Sequence, residues 1–106
     1  MHVTVHTVLT ELRGQFEVLY GARLVQMVLY GSQARDEATP DSDIDILVVL
    51  QGVVQPSEEI RRTGGIVTDL SLRYGVVIAC VFMDEAQFRQ GQEPFLRNVR
   101  REGIAV

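Results

Sequence analysis

Two short segments of this 106-residue sequence combine residue types that could bind a phosphate and a metal ion. The first is Gly31-Ser32, which follows an apolar run that predicts a buried strand over Leu24–Tyr30. A glycine has no Cβ, so a phosphate can approach the backbone there. The Ser32 hydroxyl and the N–H groups that open the next turn would complete a small anion site.

The second segment begins about ten residues later with Asp43 and Asp45, at the start of another apolar strand. Side chains two residues apart on a strand point to the same face, so the two carboxylates should lie side by side. Such a pair suits Mg²⁺, which prefers one or two carboxylates together with substrate phosphates. The two segments together predict a site for a metal-bound nucleoside triphosphate.

A simpler interpretation of these residues stays open. The range 36–45 contains five acidic residues, which could form a solvated acidic loop before an ordinary strand. The joint placement of Gly31, Ser32 and the two aspartates at the ends of two buried strands favours the metal site. A bound cation would also relieve the repulsion between these acidic side chains.

Composition excludes several other chemistries. The sequence has no lysine, which argues against a Walker-type phosphate loop and Schiff-base catalysis. Its single cysteine, Cys80, cannot form an internal disulfide and is predicted to be a core residue, and the only histidines are His2 and His6. The net charge of −4 argues against direct binding of long nucleic acids. The longest apolar run, Val76–Met83, is too short to span a membrane, so we expect a cytoplasmic protein.

Apolar periodicity predicts a single α/β domain over residues 1–106, with three layers and three buried strands. The predicted strands are Leu24–Tyr30, Asp43–Leu50 and Val76–Met83. Helical segments are predicted over Thr4–Tyr20, Pro56–Tyr74, Asp84–Phe88 and Glu93–Arg101, with a helical turn at Gln33–Asp36 and a loop at Thr39–Ser42.

The residues around the two segments resemble a known family. Leu29–Arg35 (LYGSQAR) and Ser42–Val48 (SDIDILV) match the signature of the minimal nucleotidyltransferase (MNT) proteins, which is Gly-Ser, about ten residues, then Asp-x-Asp. These proteins belong to the DNA polymerase β-like nucleotidyltransferase superfamily. The resemblance implies its α/β (α+β) fold, a small three-stranded mixed sheet flanked by helices.

By this resemblance, Gly31 and Ser32 would bind the triphosphate of ATP. Asp43 and Asp45 would be the catalytic residues and would bind Mg²⁺. Arg35 matches the arginine of the family's Gly-Ser-x-Ala-Arg-Gly pattern and would hold the motif loop in place. The last glycine of that pattern is replaced by Asp36 here.

One departure from the family concerns catalysis. Active members of the superfamily carry a third acid on the third strand, beside the Asp-x-Asp pair. The segment Val76–Met83 contains no acid, and Asp69 and Asp84 would need unusual geometry to replace it. Because general-base help is commonly worth about 10²–10⁴-fold in rate, its loss could leave a slow enzyme or a protein that only binds.

Two functions therefore stay open. The first is an Mg²⁺-dependent transfer of AMP from ATP to a hydroxyl of a partner protein. The second is a catalytically weak or inactive module that inhibits its partner by binding alone. MNT proteins pair, as antitoxins, with HEPN proteins, which are helical RNases. The resemblance thus implies a cytoplasmic antitoxin in a hetero-oligomer with a HEPN-type toxin, with the Arg97–Arg101 face as a candidate contact.

Overall fold

The computed structural model describes residues 3–39 and 42–106. Its elements are α1 (Val3–Tyr20), β1 (Leu24–Tyr30), β2 (Ile44–Leu50), α2 (Pro56–Tyr74), β3 (Ile78–Asp84), α3 (Glu85–Gln90), α4 (Pro94–Glu102) and β4 (Ile104–Ala105). Two 3₁₀ turns lie at Gly21–Arg23 and Gly31–Gln33. His2 and the middle of the predicted loop Thr39–Ser42 fall outside the described residues.

The four strands form one mixed sheet in the order β3-β2-β1-β4. β2 runs antiparallel to β1 and parallel to β3, and β4 pairs antiparallel with β1. The predicted mixed sheet flanked by helices is therefore confirmed, but it has four strands instead of three. The sequence pattern does not reveal β4 because a two-residue strand is too short to show alternation.

Strand β2 contributes to both apolar layers of the molecule, because its side chains alternate between the two faces of the sheet. The layer that includes α1 and α2 receives Ile44, Ile46, Val48 and Leu50. The layer that includes α4 receives Leu47 and Val49. Asp45 is odd-numbered like Leu47 and Val49, so this alternation places its side chain on the α4 side of the sheet.

Strands β3 and β1 are less buried than predicted. β3 is an edge strand, and Val81 within it is 38% exposed. β1 is fully buried only over Met27–Leu29. A continuous apolar run does not distinguish a central strand from an edge strand, which is why the sequence overestimates burial here. Cys80 is partly buried and packs against the core, as predicted.

The long helices begin and end at residues with clear local reasons. α2 starts with Pro56, carries Glu58 and Glu59 in its first turn and ends before Gly75, whose φ is +63°. The buried Glu59 carboxylate accepts a hydrogen bond from the Tyr20 hydroxyl at 2.7 Å, which joins the end of α1 to the start of α2. Within the described residues, no helix is long and apolar enough to cross a membrane.

Candidate functional site

The end of β1 and the start of β2 lie side by side, so the two sequence segments meet. Tyr30, the last residue of β1, pairs with Asp45 of β2. The next residue is Gly31, and a Cβ placed on it would lie 2.6 Å from Oδ2 of Asp45. Gly31 also has a φ of +76°, which residues with side chains rarely adopt. The backbone conformation favours glycine here, and a Cβ would in addition make the Asp45 carboxylate move.

Ser32 lies in the 3₁₀ turn that follows β1. The N–H groups of Ala34 and Arg35 make the turn's hydrogen bonds, donating to the Gly31 carbonyl at 3.1 and 3.2 Å. The N–H groups of Ser32 and Gln33 precede them, at the start of the turn, where helical turns leave donors without intrahelical partners. Ser32 is partly exposed. Its hydroxyl is therefore placed at the surface next to Gly31.

Gln33 is a residue of this site that the sequence analysis does not single out. Its side chain is buried, and its Nε2 donates to the Ser42 carbonyl at 3.5 Å. The Ser42 hydroxyl accepts from the Thr39 N–H at 2.9 Å. These contacts connect the turn after β1 to the residue before Asp43. The burial of Gln33 could not be predicted from the sequence, because a glutamine within a polar segment is usually exposed.

The two carboxylates differ in their surroundings. Asp43 lies just before β2 and is exposed, whereas Asp45 is partly buried. Burial and, to a smaller extent, the charge of Asp43 raise the pKa of the Asp45 carboxyl. In the described part of the chain, no arginine forms an ion pair with either side chain. This donor set, oxygen only and negatively charged, has the chemistry that a hard divalent cation requires.

β3 places no carboxylate beside this pair. Ala79 is the β3 residue that pairs with Asp45. Asp84 lies at the far end of β3, where it caps α3, and Asp69 forms an ion pair with Arg73. Across residues 3–39 and 42–106, no three His, Cys, Asp or Glu side chains are grouped as a metal site would need. Ala79 therefore marks the position of the missing third-strand acid.

Arg35 and Asp36 lie at the end of the turn that follows β1, one as a charged contact and the other with a left-handed backbone. The Arg35 guanidinium lies 3.2 Å from a Glu37 carboxylate oxygen and 3.5 Å from one of Glu102, at the end of α4. This arrangement fits the expected role of holding the loop. Asp36 has a φ of +58°, in the left-handed region that favours glycine. Aspartate tolerates this region better than most residues, so it can replace the glycine of the family pattern.

The Arg97–Arg101 face is less available to a partner than the sequence suggests. Arg100 donates to the carbonyls of Phe88 and Gly91, both at 2.6 Å, and so holds the connection between α3 and α4. Arg101 donates to Asn98 and also pairs with Glu102. Arg100 therefore has an internal structural role, which spacing along a helix does not reveal.

Comparison with known proteins agrees with this fold. The nucleotidyltransferase domain family matches residues 9–104. A Methanocaldococcus jannaschii protein, named as a presumed protein adenylyltransferase, is 40% identical over 85 residues, which are 79% of each chain. The fold is similar to a toxin–antitoxin structure with AMP-PNP (TM-score 0.61, 16% identity, 89% of this chain and 68% of that one). It is also similar to a variant of the MntA-HpeT toxin–antitoxin (TM-score 0.59, 15% identity, 95% and 70%).

A mixed sheet that brings a Gly-Ser turn against an Asp-x-Asp strand defines a nucleotidyltransferase. The extent of the match shows that this chain belongs to the nucleotidyltransferase domain family. The family predicted from the two short segments is thereby confirmed.

Replacing Gly31 by alanine should destabilise the fold more than the same change at Gly21. Both glycines have positive φ, but a Cβ on Gly21 meets nothing within 4 Å, whereas on Gly31 it would overlap the Asp45 carboxylate. In urea unfolding, we expect a loss of about 1 kcal/mol for Gly21→Ala and about 2–3 kcal/mol for Gly31→Ala. Equal losses would contradict a steric role for the contact with Asp45.

Asp45→Asn should make the isolated protein slightly more stable at pH 7. The folded-state pKa of Asp45 is raised, so stability from this group is present below its unfolded pKa and is lost as pH rises through the folded pKa. Solvent screening limits the expected gain to less than about 1 kcal/mol. Urea unfolding of both proteins from about pH 3 to 7 should show the difference growing with pH. A variant that is less stable than the parent at pH 7 would refute this account.

Proposed function

We propose that this chain transfers AMP from ATP to a hydroxyl of a partner protein in an Mg²⁺-dependent reaction. Gly31 and Ser32 would bind the triphosphate, and Asp43 and Asp45 would be the catalytic residues and hold the metal. The observation that carries this proposal is the closeness of the Asp45 carboxylate to Gly31, where an added Cβ would lie 2.6 Å from Oδ2. It brings backbone that a phosphate can approach next to two carboxylates without a basic partner among the described residues.

The chain's own residues would mainly position the nucleotide and the metal ion. Bound Mg²⁺ would supply the positive charge that brings triphosphate oxygens and two carboxylates together. The Ser32 hydroxyl would donate to a phosphate oxygen. Gly31 would keep the space beside Asp45 free of a side chain, and Gln33 would hold the turn at a constant distance from the strand that carries the acids.

The proposed reaction is a displacement at the α-phosphorus of ATP. The acceptor hydroxyl oxygen forms a bond to that phosphorus, and the bond from the phosphorus to the oxygen that bridges to the β-phosphate breaks. Pyrophosphate leaves with the electron pair of that bond, and the hydroxyl proton passes to water. Because Ala79 stands where a third carboxylate would lie, we expect a slow reaction without strong general-base help.

We propose that the acceptor belongs to a HEPN-type toxin and that this chain acts as its cytoplasmic antitoxin. A toxin partner is supported by two similar solved structures that are of toxin–antitoxin pairs, one of them with AMP-PNP. A protein acceptor is supported by the M. jannaschii relative, which is named as a presumed protein adenylyltransferase. An added AMP would put bulk and negative charge on the toxin, which opposes RNA binding.

One observation favours a second function, inhibition by binding alone. Only alanine occupies the β3 position next to Asp45, so the site lacks the acid that active superfamily members carry there. In this case the antitoxin would cover the toxin's RNA site without modifying it. The nucleotide site would then be a remnant of the family.

The first test measures whether ATP binding depends on Mg²⁺ through the two aspartates. Calorimetry with and without a chelator should show Mg²⁺-dependent binding for the parent and no such dependence for Asp43→Asn combined with Asp45→Asn. Asp69→Asn combined with Glu58→Gln removes the same charge elsewhere on the surface and should behave as the parent. Equal ATP affinity in parent and site variant would refute the assignment of these two residues.

The second test measures modification of the partner. After co-expression with the toxin encoded beside it, the partner should gain about 329 Da per AMP group by mass spectrometry. The double aspartate variant should leave the partner's mass unchanged. A partner that is inhibited but unmodified would favour binding alone, and the absence of a stable complex would contradict both functions.

The third test restores the missing acid. Ala79→Asp should raise the rate of AMP transfer by roughly 10²-fold or more, because it places a carboxylate on the face that Asp45 occupies. Val81→Asp is a matched control, two residues further along the same face of β3. A rate unchanged by Ala79→Asp would show that proton removal does not limit the reaction.

A further inference from the structure

Phe95, in the first turn of α4, exposes its ring to solvent. Among the phenylalanine and tyrosine residues that the structure describes it is the most exposed, with 38% of its surface accessible to solvent. The neighbouring Leu96 and, one turn later, Val99 are buried against the sheet and anchor the helix. Full burial of a phenylalanine side chain is commonly worth about 1.5–3 kcal/mol, and Phe95 gains only the part that its buried surface supplies.

The position of the Phe95 ring is fixed by Tyr30. The two rings meet edge to face, with centroids 5.2 Å apart and planes at 86°. This is a favourable geometry for aromatic pairs. Pro94 begins α4 immediately before Phe95 and restricts the backbone there. The exposed part of Phe95 is thus presented on a rigid support.

Tyr30 also connects this ring to the candidate site. It pairs with Asp45 across the β1–β2 ladder and directly precedes Gly31. Facing side chains of antiparallel strands have Cβ atoms about 4.5–5.5 Å apart, so the tyrosine stands beside the carboxylate on the same face of the sheet. Phe95 therefore lies one ring beyond a residue that borders both the proposed metal ligands and the proposed phosphate turn.

We propose that Phe95, supported by Tyr30, is the stacking surface for the nucleobase of the donor nucleotide. This inference rests on the proposed function, because it takes the triphosphate to lie at Gly31 and Ser32. A nucleobase is a planar apolar group tethered to those phosphates, and an exposed ring held next to them is the surface on which it would stack. Stacking on a ring face accepts any base, so this subsite would favour nucleotides over bare phosphates without selecting adenine.

The test compares two probes, ATP with Mg²⁺ and inorganic tripolyphosphate with Mg²⁺. Phe95→Ala should weaken ATP binding about 5- to 100-fold, the range that loss of one base–aromatic stack produces. The same variant should bind tripolyphosphate as the parent does, because it retains the phosphate and metal residues. GTP should lose affinity to a similar extent as ATP. Leu72→Ala, which truncates another exposed apolar side chain, should change neither affinity.

A second variant gives a direct signal of stacking. The chain contains no tryptophan, so Phe95→Trp introduces a single indole whose fluorescence reports on this position. Adding ATP with Mg²⁺ should quench that fluorescence, whereas tripolyphosphate should not. Leu72→Trp places an indole on the exposed side of α2 and should be insensitive to both probes.

The outcomes separate this inference from the proposed function. ATP affinity that is equal in parent and Phe95→Ala, or an unquenched indole while calorimetry records ATP binding, would overturn base stacking and leave the proposed function intact. Reduced AMP transfer with unchanged ATP affinity would also overturn it and assign Phe95 to the acceptor instead. A parent that binds neither probe would overturn the proposed function and this inference with it.

Discussion

The Asp45 carboxylate lies so close to Gly31 that a Cβ at position 31 would make the carboxylate move. The approach follows from the antiparallel pairing of β1 with β2, which sets Tyr30 opposite Asp45 and turns the chain away at the next residue. A larger residue at position 31 would displace the carboxylate or break the turn. The phosphate-accessible backbone therefore lies directly beside the Asp45 carboxylate, and a side chain at position 31 would change the position of that carboxylate.

The alternation of β2 protects this arrangement. Even-numbered residues from Ile44 to Leu50 fill the layer under α1 and α2, and odd-numbered residues Leu47 and Val49 fill the layer under α4. A shift of one residue in register would turn Asp45 from the α4 side into the layer under α1 and α2, where an unpaired carboxylate is costly. The core thus selects the face on which the acids appear, although the core residues themselves take no part in the chemistry.

Much of this was predictable because the informative residues are close together in sequence. The helix–strand order and the meeting of Gly31 with Asp45 follow from apolar runs that end in polar motifs. The sequence could not show that β3 is an edge strand, that Gln33 is buried between two loops, or that Arg100 holds two carbonyls. Those properties depend on which segments become neighbours in space, and the residue types alone do not specify those neighbours.

Because β1 and β2 are consecutive antiparallel strands, the residues of the site are close together along the chain. Gly31, Ser32 and Asp43 lie in the connection between neighbouring strands and Asp45 lies at the start of β2, whereas the parallel strand β3 is reached only through the long crossover helix α2. Closing a short connection costs less chain entropy than closing a long one. The Gly-Ser turn and the two aspartates are therefore brought together by one short connection, whereas the residue opposite Asp45 on β3 comes from a distant part of the sequence. A substitution at Ala79 would therefore change the residue beside Asp45 without changing the connection that carries the Gly-Ser turn.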